Sequence, residues 1–196
     1  MTHPGLIEAM SQPAFYPHRP DSVQLIQTHI SWIFIAGELV YKVKKAVDFG
    51  FLDFTTLEKR KYYCGQEVVL NRRFAPDVYV GVAAITEDGG GTLRPGGEGS
   101  AVEYAVKMKK IPEEKMLYRL MKAGGVTEGD VERVGRYLAR VYGRIPSDEG
   151  ARQFGTVDAI ATNVLENFDQ TRKYREGPVS GKGFDTIESW SRTSVS

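Results

Sequence analysis

Hydrophobic and polar positions alternate in the first half of this chain and recur every three to four residues in the second. Residues 1–20 hold four prolines and little periodicity, predicting a short helix at Leu6–Met10 and then an irregular arm. Val23–Thr28, Trp32–Ala36 and Leu39–Val43 are short β-rich runs, and Ala36-Gly37-Glu38 is a tight-turn signal between the last two. Together they predict an antiparallel meander. Thr55-Thr56-Leu57-Glu58 has the form of a capping box, in which a threonine hydroxyl takes an orphan amide and a glutamate reaches back. The helix it opens runs from about Thr56 to Phe74 and ends at Ala75-Pro76-Asp77, because a residue before proline avoids helical dihedrals. Tyr79–Ile85 and Val102–Met108 are two further strands, and the glycine-rich stretch Glu87–Ser100 between them reads as a long, exposed, mobile hairpin turn. Pro112 opens a helix over roughly Glu113–Lys122 that Gly124-Gly125 ends. Thr127-Glu128-Gly129-Asp130 caps another to about Tyr142, and two more cover about Val157–Lys173 and Phe184–Arg192.

Three strands, a helix, two strands and then helices alone define an α+β chain with a sheet-rich front and a helical back. The boundary falls near Lys109–Pro112 and divides the chain into an arm (1–20), a five-stranded antiparallel portion with one helix (21–110) and a helical portion (111–196).

Composition adds exclusions. The 196 residues are 41% hydrophobic and 26% charged, as in ordinary globular proteins. A formal net charge of +1 gives no bulk attraction to nucleic acid or to an acidic membrane. The lone Cys64 rules out an intramolecular disulfide and fits a reducing cytoplasm. Met1-Thr2-His3-Pro4-Gly5 lacks the basic segment and apolar core of a secretory signal. The longest apolar run, Trp32 to Gly37, is far short of the roughly 20 residues that span a bilayer. The expectation is a cytoplasmic protein without a membrane partner.

Two residues sit where charge is expensive. On the third strand Val40, Lys42 and Lys44 share one face, and Leu39, Tyr41 and Val43 the other. Both faces carry apolar residues, so the strand is central and a lysine on it needs a reason. Its stem can pack while its ammonium reaches solvent. On the first long helix Glu67 shares a face with Tyr63, Cys64, Leu70 and Phe74, while Lys59, Arg60, Arg72 and Arg73 lie mostly elsewhere. A carboxylate there costs several kcal/mol unless paired. A partner on its own helix would serve, as would an edge position that reaches water. Lys42 is the more informative partner, because a strand lysine held by a helix glutamate is the phosphate-holding pair of kinase-like folds.

Around these two residues the chain resembles a known bacterial family. The segments are Thr28-His29-Ile30-Ser31-Trp32-Ile33-Phe34, Val40-Tyr41-Lys42-Val43-Lys44-Lys45, Asp48-Phe49-Gly50-Phe51-Leu52-Asp53-Phe54 and Glu67 through Asn71-Arg72-Arg73-Phe74-Ala75-Pro76-Asp77-Val78-Tyr79. They resemble the aminoglycoside-phosphotransferase-like kinases often joined to a C-terminal P-loop kinase domain. Glu166-Asn167-Phe168-Asp169-Gln170-Thr171 resembles the family's region just ahead of the catalytic loop. The resemblance implies a protein-kinase-like fold, with ATP or GTP as cofactor, Mg in the complete fold, and a small-molecule phosphate acceptor. It implies Lys42 as the phosphate-binding lysine with Lys44 as the fallback, Glu67 as ion-pair partner and Val40 lining the adenine pocket. It also implies a hinge over Lys107–Ile111, with Met108, Lys109 and Ile111 meeting the base, and a turn at Thr28–Ser31 over the phosphates.

The departures limit what the chain can do. It has no His-Gly-Asp-Leu catalytic loop and no later metal-binding aspartate, and Tyr142 stands near the family's usual histidine. The chain ends at Arg192-Thr193-Ser194-Val195-Ser196, and by the resemblance the expectation is a stop short of that loop. Phosphoryl transfer depends on positioning and metal-ion charge neutralisation, so the expectation is nucleotide binding without turnover. The alternative is a non-catalytic, pseudokinase-like interaction module, with a homodimer through exposed helical surface.

Other signals are weaker than they look. Asp48-Phe49-Gly50 spells the kinase metal-binding triplet but precedes the first long helix, so it reads as a turn. The glycines at 89–91, 96, 97 and 99 give no phosphate-loop spacing. His3, His18 and His29 with Cys64 show no metal-ligand spacing. Lys59-Arg60-Lys61, Arg72-Arg73 and Lys107-Lys109-Lys110 are interleaved with acidic residues and match no nucleic-acid motif.

Overall fold

The computed structural model describes residues 3–195. They form two compact units, the first running to Val141 and the second starting at Tyr142. The change from strands to helices near Lys109–Pro112 lies inside the first unit.

The first unit is built on one antiparallel sheet. Its strands are β1 (Val23–Gln27), β2 (Ser31–Ala36), β3 (Leu39–Lys44), β4 (Tyr79–Glu87), β5 (Leu93–Pro95) and β6 (Ser100–Lys109). The strand order is β1-β2-β3-β6-β4-β5. β1, β2 and β3 make the expected meander, and β3 is central between β2 and β6. The sheet has six strands rather than five. The extra one, β5, lies within Glu87–Ser100, which is therefore not an open turn. Its residues pair as Ile85↔Pro95, Thr86↔Arg94 and Glu87↔Leu93, and Leu93 is buried. A single apolar residue among glycines is too short a pattern to reveal a strand. Glycine is required at Gly99, where φ is 136° and a Cβ would fall 2.2 Å from the Glu87 carbonyl oxygen.

Each face of the sheet is covered by a different segment. On one side α1 (Leu6–Met10) and a 3-10 turn at Pro13–Phe15 contribute Leu6, Met10, Phe15 and Tyr16 to a core with Phe34, Tyr41, Val43 and Ile85. The arm after α1 is thus part of the core. Tyr16 donates its hydroxyl to the Met10 carbonyl at 2.6 Å, and His18 Nε2 donates to the Ala36 carbonyl at 2.9 Å. On the other side α2 (Leu57–Arg72) packs Cys64 and Val68 against Val106, with Tyr79, Tyr104 and Met108 around them.

α2 starts one residue later than a capping box on Thr55 requires. Thr56 is the N-cap and accepts from the Lys59 amide at 3.2 Å, so a lysine holds the position where the reciprocating glutamate would sit. The buried stripe of α2 is Arg60, Cys64 and Val68, whereas Tyr63 and Leu70 are 39% and 45% exposed. Spacing from Glu67 alone allows either flank of the helix to face inward. Burial of Arg60 turns the stripe toward the flank away from Tyr63 and Leu70.

The expected helix over Glu113–Lys122 is interrupted. A 3-10 turn at Glu113–Lys115 and α3 (Leu117–Lys122) are separated by Met116 in an extended conformation. α4 (Glu128–Tyr142) begins as anticipated. The Asp130 carboxylate accepts the Thr127 amide at 2.9 Å, while Thr127 Oγ1 accepts the Asp130 amide at 3.3 Å. In the second unit α5 (Glu149–Arg152), α6 (Val157–Thr171) and α7 (Gly181–Ser194) follow. α6 and α7 meet through an edge contact of Phe168 on Phe184, with ring centroids 5.7 Å apart. Arg172 of the turn after α6 donates to Glu188 at 2.7 Å.

Candidate functional site

β3 presents Lys42 and Lys44 to α2, as the two-residue period of a strand requires. Glu67 lies between them. Lys42 Nζ donates to Glu67 Oε1 at 2.9 Å, and Lys44 Nζ donates to Glu67 Oε2 at 2.7 Å. The expected Lys42–Glu67 contact therefore exists, and the fallback lysine joins it. Burial alone would push the Glu67 carboxyl up, but the Lys44 and Lys42 ammoniums outweigh it and hold the group below the usual carboxylate range. Two ammoniums against one carboxylate leave the cluster with one surplus positive charge.

The two lysines differ in surroundings. The Lys44 side chain is 6% exposed and its ammonium lies 4.9 Å from the centre of the Phe54 ring. The Lys42 side chain is 28% exposed and sits opposite Ile33 and Val106. Ser31 pairs directly with Lys44 across the sheet. Its Oγ is buried and has no hydrogen-bond partner among the described residues.

A further, fully buried ion pair supports this cluster, and sequence spacing did not anticipate it. Arg60 Nε donates to both Glu103 oxygens at 2.9 Å, with the side chains 2% and 0% exposed. Arg60 Nη1 also donates to the Phe54 carbonyl at 3.0 Å and the Thr55 carbonyl at 3.1 Å. Arg60 thus anchors the backbone of Phe54, whose ring lies against Lys44. One signal was available: Glu103 is a carboxylate among Ala101, Val102, Tyr104, Ala105 and Val106 of β6, and it needs a partner. Cys64, on the same stripe as Arg60, has its thiol pushed up to about 11 by burial, so it is an inert packing residue.

The remaining candidates line up along β3 and β6. Val40 is half-buried on the same face as Lys42 and pairs with Met108. The Lys109 amide donates to the Val78 carbonyl at 2.8 Å and the Lys110 amide to the Glu38 carbonyl at 2.9 Å. Both hinge donors are therefore already engaged. Ile111 is 47% exposed, and its amide has no backbone acceptor among the described residues. In the Thr28–Ser31 turn the Thr28 amide donates to the Ser31 carbonyl at 2.9 Å and the Ser31 amide to Thr28 Oγ1 at 3.0 Å. Lys45 Nζ closes the turn by donating to the Thr28 carbonyl at 2.6 Å.

Several weaker signals resolve as structure. Asp48-Phe49-Gly50 is a turn in which Asp48 Oδ1 accepts the Gly50 amide at 2.8 Å and Gly50 has a φ of 81°. Among the basic clusters, Lys59 pairs with Asp53, Arg60 is buried, and Arg72 donates to the Tyr79 carbonyl at 2.8 Å. Among the described residues no three His, Cys, Asp or Glu side chains group to hold a metal. No helix among them is long and apolar enough to cross a membrane. A cleft of about 670 Å³ lies away from the lysine cluster, between the 3-10 turn at Pro13–Phe15 and β5, and none of the candidate residues lines it.

Comparison with known proteins gives relatives without an assigned function. Uncharacterized proteins of Mycobacterium bovis and Mycobacterium tuberculosis are 30% identical to this chain over 166 residues, or 85% of its length. The matched region is 32% of each relative, so the chain spans about a third of the length of the curated relatives it matches. No family model matches the chain. No solved structure matches it.

Proposed function

We propose that this chain is the nucleotide-binding portion of a kinase-like small-molecule phosphotransferase, holding ATP or GTP without turning it over on its own. The observation that carries this reading is the Lys42–Glu67 contact at 2.9 Å on the face of β3 that also bears Val40. In this reading the base lies over Val40 and Met108 and is met by the backbone of Ile111 rather than by the engaged amides of Lys109 and Lys110. Val40 and Lys42 are two residues apart on one face, which separates their side chains by about 7 Å along the strand. That spacing suits a base at one position and phosphates at the other. The sequence has no His-Gly-Asp-Leu motif to orient an acceptor hydroxyl, which is why binding without transfer is proposed. Magnesium would enter with the phosphates, and the compartment would be the cytoplasm.

Isothermal titration calorimetry of the folded chain with ATP or GTP and magnesium tests the proposal. Lys42→Met is expected to weaken binding by about tenfold or more, the usual loss when a charged hydrogen bond to phosphate is removed. Folded wild-type protein that binds neither nucleotide would overturn it.

A second reading, a non-catalytic module that pairs with another copy of itself, is favoured by α4. Val131, Val134 and Leu138 fall at one-face spacing, yet are 62%, 50% and 38% exposed. Light scattering that finds a stable dimer, together with no nucleotide response, would favour this reading.

A further inference from the structure

We infer that the two lysines on Glu67 have separate tasks: Lys44 is its permanent buried counter-ion, and Lys42 is the ammonium that moves to meet an anionic ligand. This deepens the nucleotide-binding reading and rests on it for the identity of the anion. Three observations carry it. The first is accessibility, since the Lys42 side chain is 28% exposed and that of Lys44 only 6%. The second is enclosure. Lys44 is held at 2.7 Å by Glu67, lies 4.9 Å from the Phe54 ring centre, and faces Ser31 across the sheet. Arg60 fixes Phe54 from behind through its carbonyl at 3.0 Å. The third is charge balance. A buried carboxylate left alone is strongly unfavourable. With a single lysine, a ligand that drew the ammonium away would strand Glu67. With Lys44 on Oε2, Lys42 can leave Oε1 and Glu67 stays paired. The surplus positive charge then belongs to the lysine nearer solvent, beside Val40 on the ligand face.

The assignment is tested by reductive methylation of the native 196-residue chain, with site occupancy read by peptide mass spectrometry. Without ligand, Lys42 is expected to be modified at least tenfold faster than Lys44. Tripolyphosphate, and separately ATP with magnesium, are expected to slow Lys42 by severalfold and leave Lys44 unchanged. Lys44→Met is expected to lower the urea midpoint more than Lys42→Met does. Should Lys44→Met fail to fold, the labelling ratio of the wild-type chain still decides. Equal labelling of the two lysines, or protection of Lys44 in place of Lys42, overturns the division of tasks. If the ligand-free ratio holds and tripolyphosphate alone protects Lys42, the anion role stands and the nucleotide reading falls. If neither anion protects Lys42, its ligand role falls as well.

Discussion

Ser31 shows how a single residue can trade stability for a polar position. Its hydroxyl is buried without a partner, directly across from Lys44 on the face that carries the lysine cluster. An unsatisfied buried hydroxyl costs about 1–3 kcal/mol, so natural proteins keep few of them. Ser31→Ala removes the hydroxyl and leaves the backbone hydrogen bonds of the turn intact, because those run through the Ser31 amide and carbonyl. The variant is expected to be as stable as the wild type or more stable by about 1 kcal/mol. Urea denaturation checks this, and a loss of stability of 1 kcal/mol or more would show that the hydroxyl has a structural partner. The neighbouring residues were legible before folding. Lys42 and Glu67 stood out because each is a charge at a position whose neighbours are apolar. Ser31 did not, since serine at the end of a strand is unremarkable until its burial is known.

At the scale of elements, α2 is tied to the sheet by ion pairs at two places, Glu67 with Lys42 and Lys44 and Arg60 with Glu103, and only the first was visible in the sequence. Glu67 could be matched to Lys42 because strand alternation and helical spacing each gave its face. Arg60 drew no such match, since it stands in the basic run Lys59-Arg60-Lys61 and lies mostly off the face that carries Glu67. Its carboxylate, Glu103, is 43 residues away on β6, a separation that no local pattern bridges. The strands and long helices were legible because period and caps are local properties. β5 was not, because pairing with β4 rather than its own sequence makes it a strand. Arg60→Met should leave Glu103 without its counter-ion at 0% exposure and free the Phe54 and Thr55 carbonyls. Breaking such a pair from one side costs about 3–5 kcal/mol. The expected result is a large fall in the denaturation midpoint, with Glu103→Gln in the same background recovering part of it. A midpoint unchanged by Arg60→Met would mean that the pair contributes nothing to holding α2.

For the whole molecule, the Lys42–Glu67–Lys44 cluster makes stability depend on acid in a way that can be read separately from the rest of the chain. Glu67 is held below the usual carboxylate range, burial being outweighed by the two ammoniums. A carboxyl whose folded value is depressed contributes its full stability above the unfolded value of about 4.3, and loses it as pH falls through the folded value. Glu67→Gln mimics the protonated state by removing the charge at every pH. The stability gap between wild type and Glu67→Gln is therefore expected to be constant from pH 7 to about 5 and to close progressively below about 4. Trp32 on β2 can report the first unit alone if Trp190, 71% exposed on α7 of the second unit, is replaced by phenylalanine in both proteins. Urea midpoints from Trp32 fluorescence across that range give the comparison. Other depressed carboxyls, such as Asp88 and Glu113, are common to both proteins and cancel in the difference. A gap that stayed constant down to pH 3 would mean that Glu67 takes up its proton equally readily in the folded and unfolded chain, so that the two lysines do not favour its charged form. The electrostatic basis for placing an anion site beside it would then be lost.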